Sequence, residues 1–150
     1  IGYPTEQEEY GILSSTTGSK SLKVDPVLSG EEILQIQSLV RDVSISDDLI
    51  SYVGKLIRTS RPDTTTSDYV REWVRWGAGP RAGQALILTA KARALLKGRY
   101  AVIMEDLHSM AYPVLRHRIL VNFKAEAENV NTDLVTAELI RTSERPKSSV

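Results

Sequence analysis

Apolar residues recur along this chain mainly at helical spacing. Ile33, Ile36, Leu39 and Val40 form one stripe, and Leu49, Ile50, Val53, Leu56 and Ile57 form a second. Repeats at i, i+3 and i+4 mark amphipathic helices. Polar residues set the helix starts. Thr5 with Glu8, and Ser29 with Glu32, stand at capping-box spacing. Ser46 precedes Asp47 and Asp48, acids that suit the positive pole of a helix start. The pattern predicts a helix over about residues 6–13, a second after Ser29 and a third after Ser46. Residues 14–23, rich in Ser, Thr, Gly and Lys, read as a linker or exposed loop.

Residues 80–97 give the strongest helical signal. From Ala82 to Leu96, ten of fifteen residues are Ala, Leu or Ile, spread around the helix, which predicts a central position. Gly98 is placed to end it. Residues 68–76 carry two patterns. Val70, Trp73, Val74 and Gly77 fit a helix, while alternating Tyr69, Arg71, Trp73 and Arg75 fit a strand; a helix ended by Gly77 is preferred. Arg61–Ser67 is a loop, 100–103 a short extended piece, 105–111 a helix with one further turn from Pro113, and 116–121 extended. Thr132–Ile140 is the last helix, with Leu134, Val135, Leu139 and Ile140 as anchors, before a polar, frayed end over 143–150. The fold class is mainly α, a small helical bundle with one or two short extended segments.

The chain's 150 residues, 41% of them hydrophobic, suffice for one domain. Lys+Arg equals Asp+Glu at 19 each, and this balance argues against a dedicated nucleic-acid or membrane-surface binder. Without cysteine there is neither a disulfide nor a thiolate metal site. The apolar runs fall short of a membrane span of ~20 residues, no signal peptide opens the chain, and a cytoplasmic location is the default expectation. The start, Ile1-Gly2-Tyr3-Pro4-Thr5, lacks an initiator Met and reads as a strand end running into a helix cap, as in a piece of something longer.

Self-sufficient catalytic chemistry is missing from the pattern. No phosphate-loop motif occurs, and Gly18-Ser19-Lys20-Ser21 only imitates its end. Ala101-Val102-Ile103-Met104-Glu105-Asp106 resembles an apolar strand followed by magnesium-holding acids, but the acids suit the next helix start better. His108 and His117, nine residues apart, do not make a metal site and read as surface or packing residues.

The segment Gly77-Ala78-Gly79-Pro80-Arg81-Ala82-Gly83 stands out. Pro80 suits the first helical position. Arg81 then lies beside unpaired N–H groups at the positive helix pole, where a cation is disfavoured by roughly 0.3–1 kcal/mol and anions are attracted. The segment reads as a phosphate-binding corner or as a solvated arginine. The cations Lys91, Arg93, Lys97 and Arg99 follow with no acid before Met104, a run expected to be a solvated basic edge favoured by the C-terminal pole of the helix.

Gly77-Ala78-Gly79-Pro80-Arg81-Ala82 resembles the G-A-[SG]-P-R-A motif that opens a long lid helix in MoxR-type AAA+ ATPases. Ala92-Arg93-Ala94-Leu95-Leu96, Gly98-Arg99 and Pro113-Val114-Leu115-Arg116-His117-Arg118-Ile119 are similar to later lid segments, and Ile1-Gly2-Tyr3-Pro4 to the exit from the nucleotide-binding core. The resemblance implies the end of the core, a first helix and a linker over 1–28, a helical lid over 29–142 and a flexible tail over 143–150. It implies that Arg81 is a sensor-two arginine reaching nucleotide phosphates, with Gly79 and Pro80 aiming the helix start. Arg116 and Arg118 would face a neighbouring subunit or pair with carboxylates. ATP and Mg would be cofactors of the full-length parent, none being expected for the fragment, which lacks catalytic residues of its own and is inactive alone. The partners implied are the AAA+ core of the same chain, copies in a homo-oligomeric ring, often a hexamer, and a client of a chaperone-like activity. Two other readings stand beside it: an independent helical interaction module without a nucleotide role, and a DNA-binding helical domain resting on the basic run, which zero net charge opposes.

Overall fold

The computed structural model describes residues 2–18 and 24–143. Ile1 and the expected frayed tail over 144–150 lie outside the described residues, as do 19–23 of the expected linker. Eight helices are described: α1 (Glu6–Thr16), α2 (Gly30–Asp42), α3 (Asp47–Thr59), α4 (Asp68–Trp73), α5 (Pro80–Leu96), α6 (Met104–Leu115), α7 (Phe123–Ala127) and α8 (Thr132–Thr142). Two short strands, β1 (Val74–Trp76) and β2 (Leu120–Val121), pair antiparallel. The fold is mainly helical, as the periodicity predicts.

The chain divides into two compact units, residues 1–34 and 35–150, with the boundary inside α2. In the first unit the Thr5–Glu8 capping box forms as read, and α1 runs three residues past the predicted end, with its Ser and Thr hydroxyls donating back to helix carbonyls. Ser29 and Glu32 exchange the reciprocal bonds that start α2. The predicted stripe of α2 is present but uncovered: Ile33, Ile36 and Leu39 are all exposed among the described residues.

The second unit holds the core. α5 packs against α6 and α3, and α8 against α6, α4 and α3. Leu56, Leu86, Leu107, Leu115 and Leu139 are fully buried at its centre. The buried face of α5 is Ala82, Leu86, Ala90 and Ala94, mostly small residues that admit close neighbours. Gly83 faces Val53 and Ile57 of α3, at a distance that would also hold a methyl group in ordinary contact. Leu88 and Leu96 remain on the surface, so the apolar content of α5 overstates its enclosure. On α3, Tyr52 takes the buried position and Ile50 stays exposed.

Three local expectations are revised. Residues 68–76 are helix and then strand, because β1 finds a partner in β2. Pro113 does not separate two helices: α6 runs through it, since it falls in the last turn and the buried Val114 and Leu115 hold that turn in place. Residues 116–118 form a turn rather than extended chain, with strand only at 120–121. The short α7 carries too few residues for a periodic signal. It ends in a left-handed Asn129, whose N–H bonds Glu126 while Val130 bonds Ala125, the Schellman pattern. The same pattern ends α5 at Gly98, φ +70°, with Gly98 N–H to Leu95 and Arg99 N–H to Ala94.

Candidate functional site

The segment before α5 is seated on the end of α3. Ser60, fully buried, donates its hydroxyl to the Ile57 carbonyl at 2.7 Å and accepts the Ala78 N–H at 2.9 Å. Arg61 Nε donates to the Ala78 carbonyl at 3.0 Å, so both polar groups of the buried Ala78 peptide are met. Gly77 is required by contact: a Cβ there would lie 2.3 Å from the Ser60 carbonyl oxygen. The sequence reading gave Gly77 the role of helix end; its position is set instead by this backbone approach. Ser60→Ala leaves the Ala78 N–H buried without an acceptor, and an expected loss of about 1–3 kcal/mol can be read by urea denaturation.

The seated turn delivers the start of α5 to solvent. Gly79 is the N-cap, with φ −90° and ψ 177°, and Pro80 opens the helix as predicted. A Cβ on Gly79 would meet nothing, so neither space nor backbone demands glycine there. What Gly79 withholds is a capping oxygen. Among the described helices α5 alone has neither a side-chain cap nor an acid in its first turn; each of the others has one or both. Arg81 projects from this open pole, exposed and without a hydrogen-bond or ion-pair partner among the described residues.

Lys91, Arg93 and Arg99 of the basic run behave differently. Lys91 Nζ donates to the Arg41 carbonyl at the end of α2 at 2.8 Å. Arg93 and Arg99 converge on Asp106, which is fully buried. Arg93 Nη1 reaches Oδ1 at 2.6 Å, Arg99 Nη2 reaches Oδ1 and Arg99 Nη1 reaches Oδ2, each at 2.7 Å, and the Ile103 N–H reaches Oδ2 at 3.0 Å. Burial alone would raise the Asp106 pKa, but the Arg99, Ile103 and Arg93 hydrogen bonds outweigh it and hold the carboxyl at about 2. The expected solvated basic edge is thus corrected at Arg93 and Arg99, which form an internal clamp. Asp106 starts α6 as expected, with its lone pairs taken by cations and an N–H.

Arg116 pairs with Asp133 in the first turn of α8, Nε to Oδ1 at 2.9 Å and Nη2 to Oδ2 at 2.8 Å. This hydrogen-bonded pair lowers the Asp133 pKa and raises that of Arg116. Arg118 donates to the Val114 carbonyl at 2.6 Å. The carboxylate pairing weighed for these two arginines holds for Arg116, whereas Arg118 bonds backbone. His108, half-buried, meets the Tyr52 hydroxyl at 3.0 Å, a packing role. Ser60 and Arg61, which position the motif, had no sequence signal beyond their place at the end of α3. Among the described residues no three His, Asp or Glu gather as a metal site, and no helix is long and apolar enough to cross a membrane.

Comparisons with known proteins bear on this geometry. Residues 67–139 match the family model described as AAA lid domain. The chain is 29% identical over 148 residues to Chaperone MoxR1 of Mycobacterium tuberculosis, covering 98% of this chain and 39% of that protein. It is 28% identical over 141 residues to the uncharacterised protein YeaC of Bacillus subtilis, covering 93% and 42%. A crystal structure of a candidate ATPase from Cytophaga hutchinsonii superposes with a TM-score of 0.80 at 28% identity, covering 98% of this chain and 45% of the other. The chain therefore spans about two fifths of the length of these curated relatives.

Proposed function

Because this chain carries an AAA lid domain and is homologous over nearly its whole length to MoxR-family chaperone ATPases, we propose that it senses ATP through Arg81 and couples the nucleotide state to movement of the lid in a chaperone-like ring. The observation that carries this reading is the open pole of α5. An uncapped, acid-free helix start with an unpaired guanidinium is stable in isolation only by solvation, and it is complementary to a phosphate. A planar guanidinium can donate two parallel bonds to phosphate oxygens, which lysine cannot reproduce. The Ser60–Arg61 seat fixes where the guanidinium starts from, so a change at the phosphates is passed to α3 and α5 as a rigid pair.

Arg81 and the open start of α5 would meet ATP at its phosphates. Mg would be held by acids of an adjoining core together with the phosphates. When bound, MgATP supplies the phosphoryl chemistry; this chain supplies charge at the phosphates. The phosphate loop and hydrolytic acids would come from an adjoining core.

In the full-length protein, Arg81→Ala is expected to lower ATP turnover about 10- to 100-fold, the loss of a charge-assisted hydrogen bond of ~1.5–3 kcal/mol. The thermal midpoint of the lid should stay unchanged, since Arg81 is exposed and makes no hydrogen bond or ion pair among the described residues. Arg81→Lys should recover little. Wild-type turnover and an unaltered nucleotide-dependent conformational change in Arg81→Ala would return the chain to the reading of a helical interaction module, for which the uncovered stripe of α2 is the favouring observation.

A further inference from the structure

The tryptophans of β1 and its approach have opposite fates. Trp73 is nearly buried, with Tyr69 edge-on at 6.2 Å and Lys124 Nζ 4.8 Å from its ring centre. Trp76, three residues later, is 74% exposed. It pairs across the sheet with Leu120, itself half-exposed, so no described residue encloses its ring. Gly77, fixed against Ser60, follows it directly.

Trp76 borders an open depression of ≈ 270 Å³ that it shares with Arg61, Pro62, Asp63, Arg75 and the turn Gly77–Pro80. Ligand clefts run from roughly 300 to 1,000 Å³, so this one suits part of a ligand rather than the whole. Its charge is one-sided: Arg61 and Arg75 line it with a single acid, Asp63, and Arg81 is the next residue in the chain after Pro80, the last of the lining turn. Arg75 is exposed and has no partner among the described residues. An exposed aromatic face beside the unpaired Arg75 complements a ligand that is flat at one end and anionic at the other. Aromatic rings receive nucleic bases by stacking, whatever the base, because every base presents a π-face.

We propose that Trp76, flanked by Arg75 and the Arg61–Asp63 loop, is the platform on which the lid stacks the base of the nucleotide whose phosphates meet Arg81. This rests on the nucleotide reading above and extends it from the phosphates to the other end of the same ligand. Arg75 adds positive charge beside the stacked base, and Asp63 offers an acceptor to an exocyclic amine or a ribose hydroxyl.

Two probes separate the ends of the ligand in the full-length protein: ATP, and inorganic tripolyphosphate, which has no base. Trp76→Ala is expected to weaken ATP binding roughly five- to a hundredfold and to leave tripolyphosphate affinity within about twofold, with Trp76→Tyr recovering most of the loss. Unchanged ATP affinity in Trp76→Ala would overturn the platform. So would an equal loss for both probes, which would mean the substitution only disturbs the seated turn, or a broken oligomer with ATP affinity intact, which would make Trp76 a subunit contact. Arg81→Ala tests the sensor separately, because it should weaken both probes. If it moves neither while Trp76→Ala still selectively weakens ATP, the sensor reading fails and the platform stands.

Discussion

Replacing Asp106 by Asn should destabilise the 35–150 unit by about 3–5 kcal/mol at neutral pH, the usual result of removing one partner from a buried ion pair. Asp106 is fully buried and joins three parts of the chain. Arg93 comes from the body of α5, Arg99 from the turn after it, and the Ile103 N–H from the start of α6. An amide keeps one acceptor but presents an NH2 group where Oδ1 or Oδ2 now receives a guanidinium. Arg93 and Arg99 are themselves partly solvated, 21% and 31% exposed at the side chain, so water relieves some of the loss and places the effect toward the lower end of that range.

The same clamp predicts an acid dependence. The Asp106 carboxyl moves from an ordinary 3.8 to about 2 in the folded chain. A folded pKa below the unfolded one stabilises fully above the unfolded value, and the contribution fades as pH falls through the folded one. The shift corresponds to roughly 2 kcal/mol, present above about pH 4 and lost toward pH 2. Denaturant titrations at pH 7 and pH 2.5 should show the gap between wild type and Asp106→Asn narrowing in acid. A gap that is the same at both pH values would mean that Asp106 contributes packing rather than charge.

Asp106 also shows where the sequence is legible and where it is not. Its place in a first turn is written locally, as are Thr5–Glu8, Ser29–Glu32 and Ser46, because a cap and its N–H lie three residues apart. Its partners Arg93 and Arg99 were visible only as an unbroken run of cations. The acid that neutralises them lies seven residues beyond the nearer arginine and across a turn, so the run looked solvated when it was an internal clamp. The same limit governs residues 68–76, which become strand at Val74 only because β2 arrives from more than forty residues away. The candidate site divides along this line. Pro80 and Arg81 follow from the motif itself, whereas the seat beneath them, Ser60 and Arg61, depends on a contact between segments that no local pattern encodes.

Gly77→Ala tests that seat directly, and its expected effect is large. The added Cβ would lie 2.3 Å from the Ser60 carbonyl oxygen and 2.6 Å from the Arg61 Cα. Both are backbone, so no side-chain rotation relieves the overlap. Either the turn lifts from α3 or the end of α3 moves. Lifting the turn breaks the bonds from the Ala78 N–H to Ser60 and from Arg61 to the Ala78 carbonyl, and it opens the packing around the buried Ala78 and Ala82. Overpacking with loss of buried hydrogen bonds puts the cost at about 3 kcal/mol or more. Gly79→Ser, two residues on, is the matched control. Its Cβ meets open space, and serine gains only a few tenths of a kcal/mol over glycine as an N-cap, so stability should barely change. The nucleotide response should separate the pair further. Gly77→Ala displaces Arg81 and unfolds the lid more easily, whereas Gly79→Ser leaves Arg81 in place but offers the first-turn N–H groups an internal oxygen in competition with a phosphate. In the full-length protein the serine variant should therefore keep its thermal midpoint and bind ATP more weakly. Unaltered ATP affinity in that variant would show that the open helix start contributes nothing and that Arg81 alone meets the phosphates.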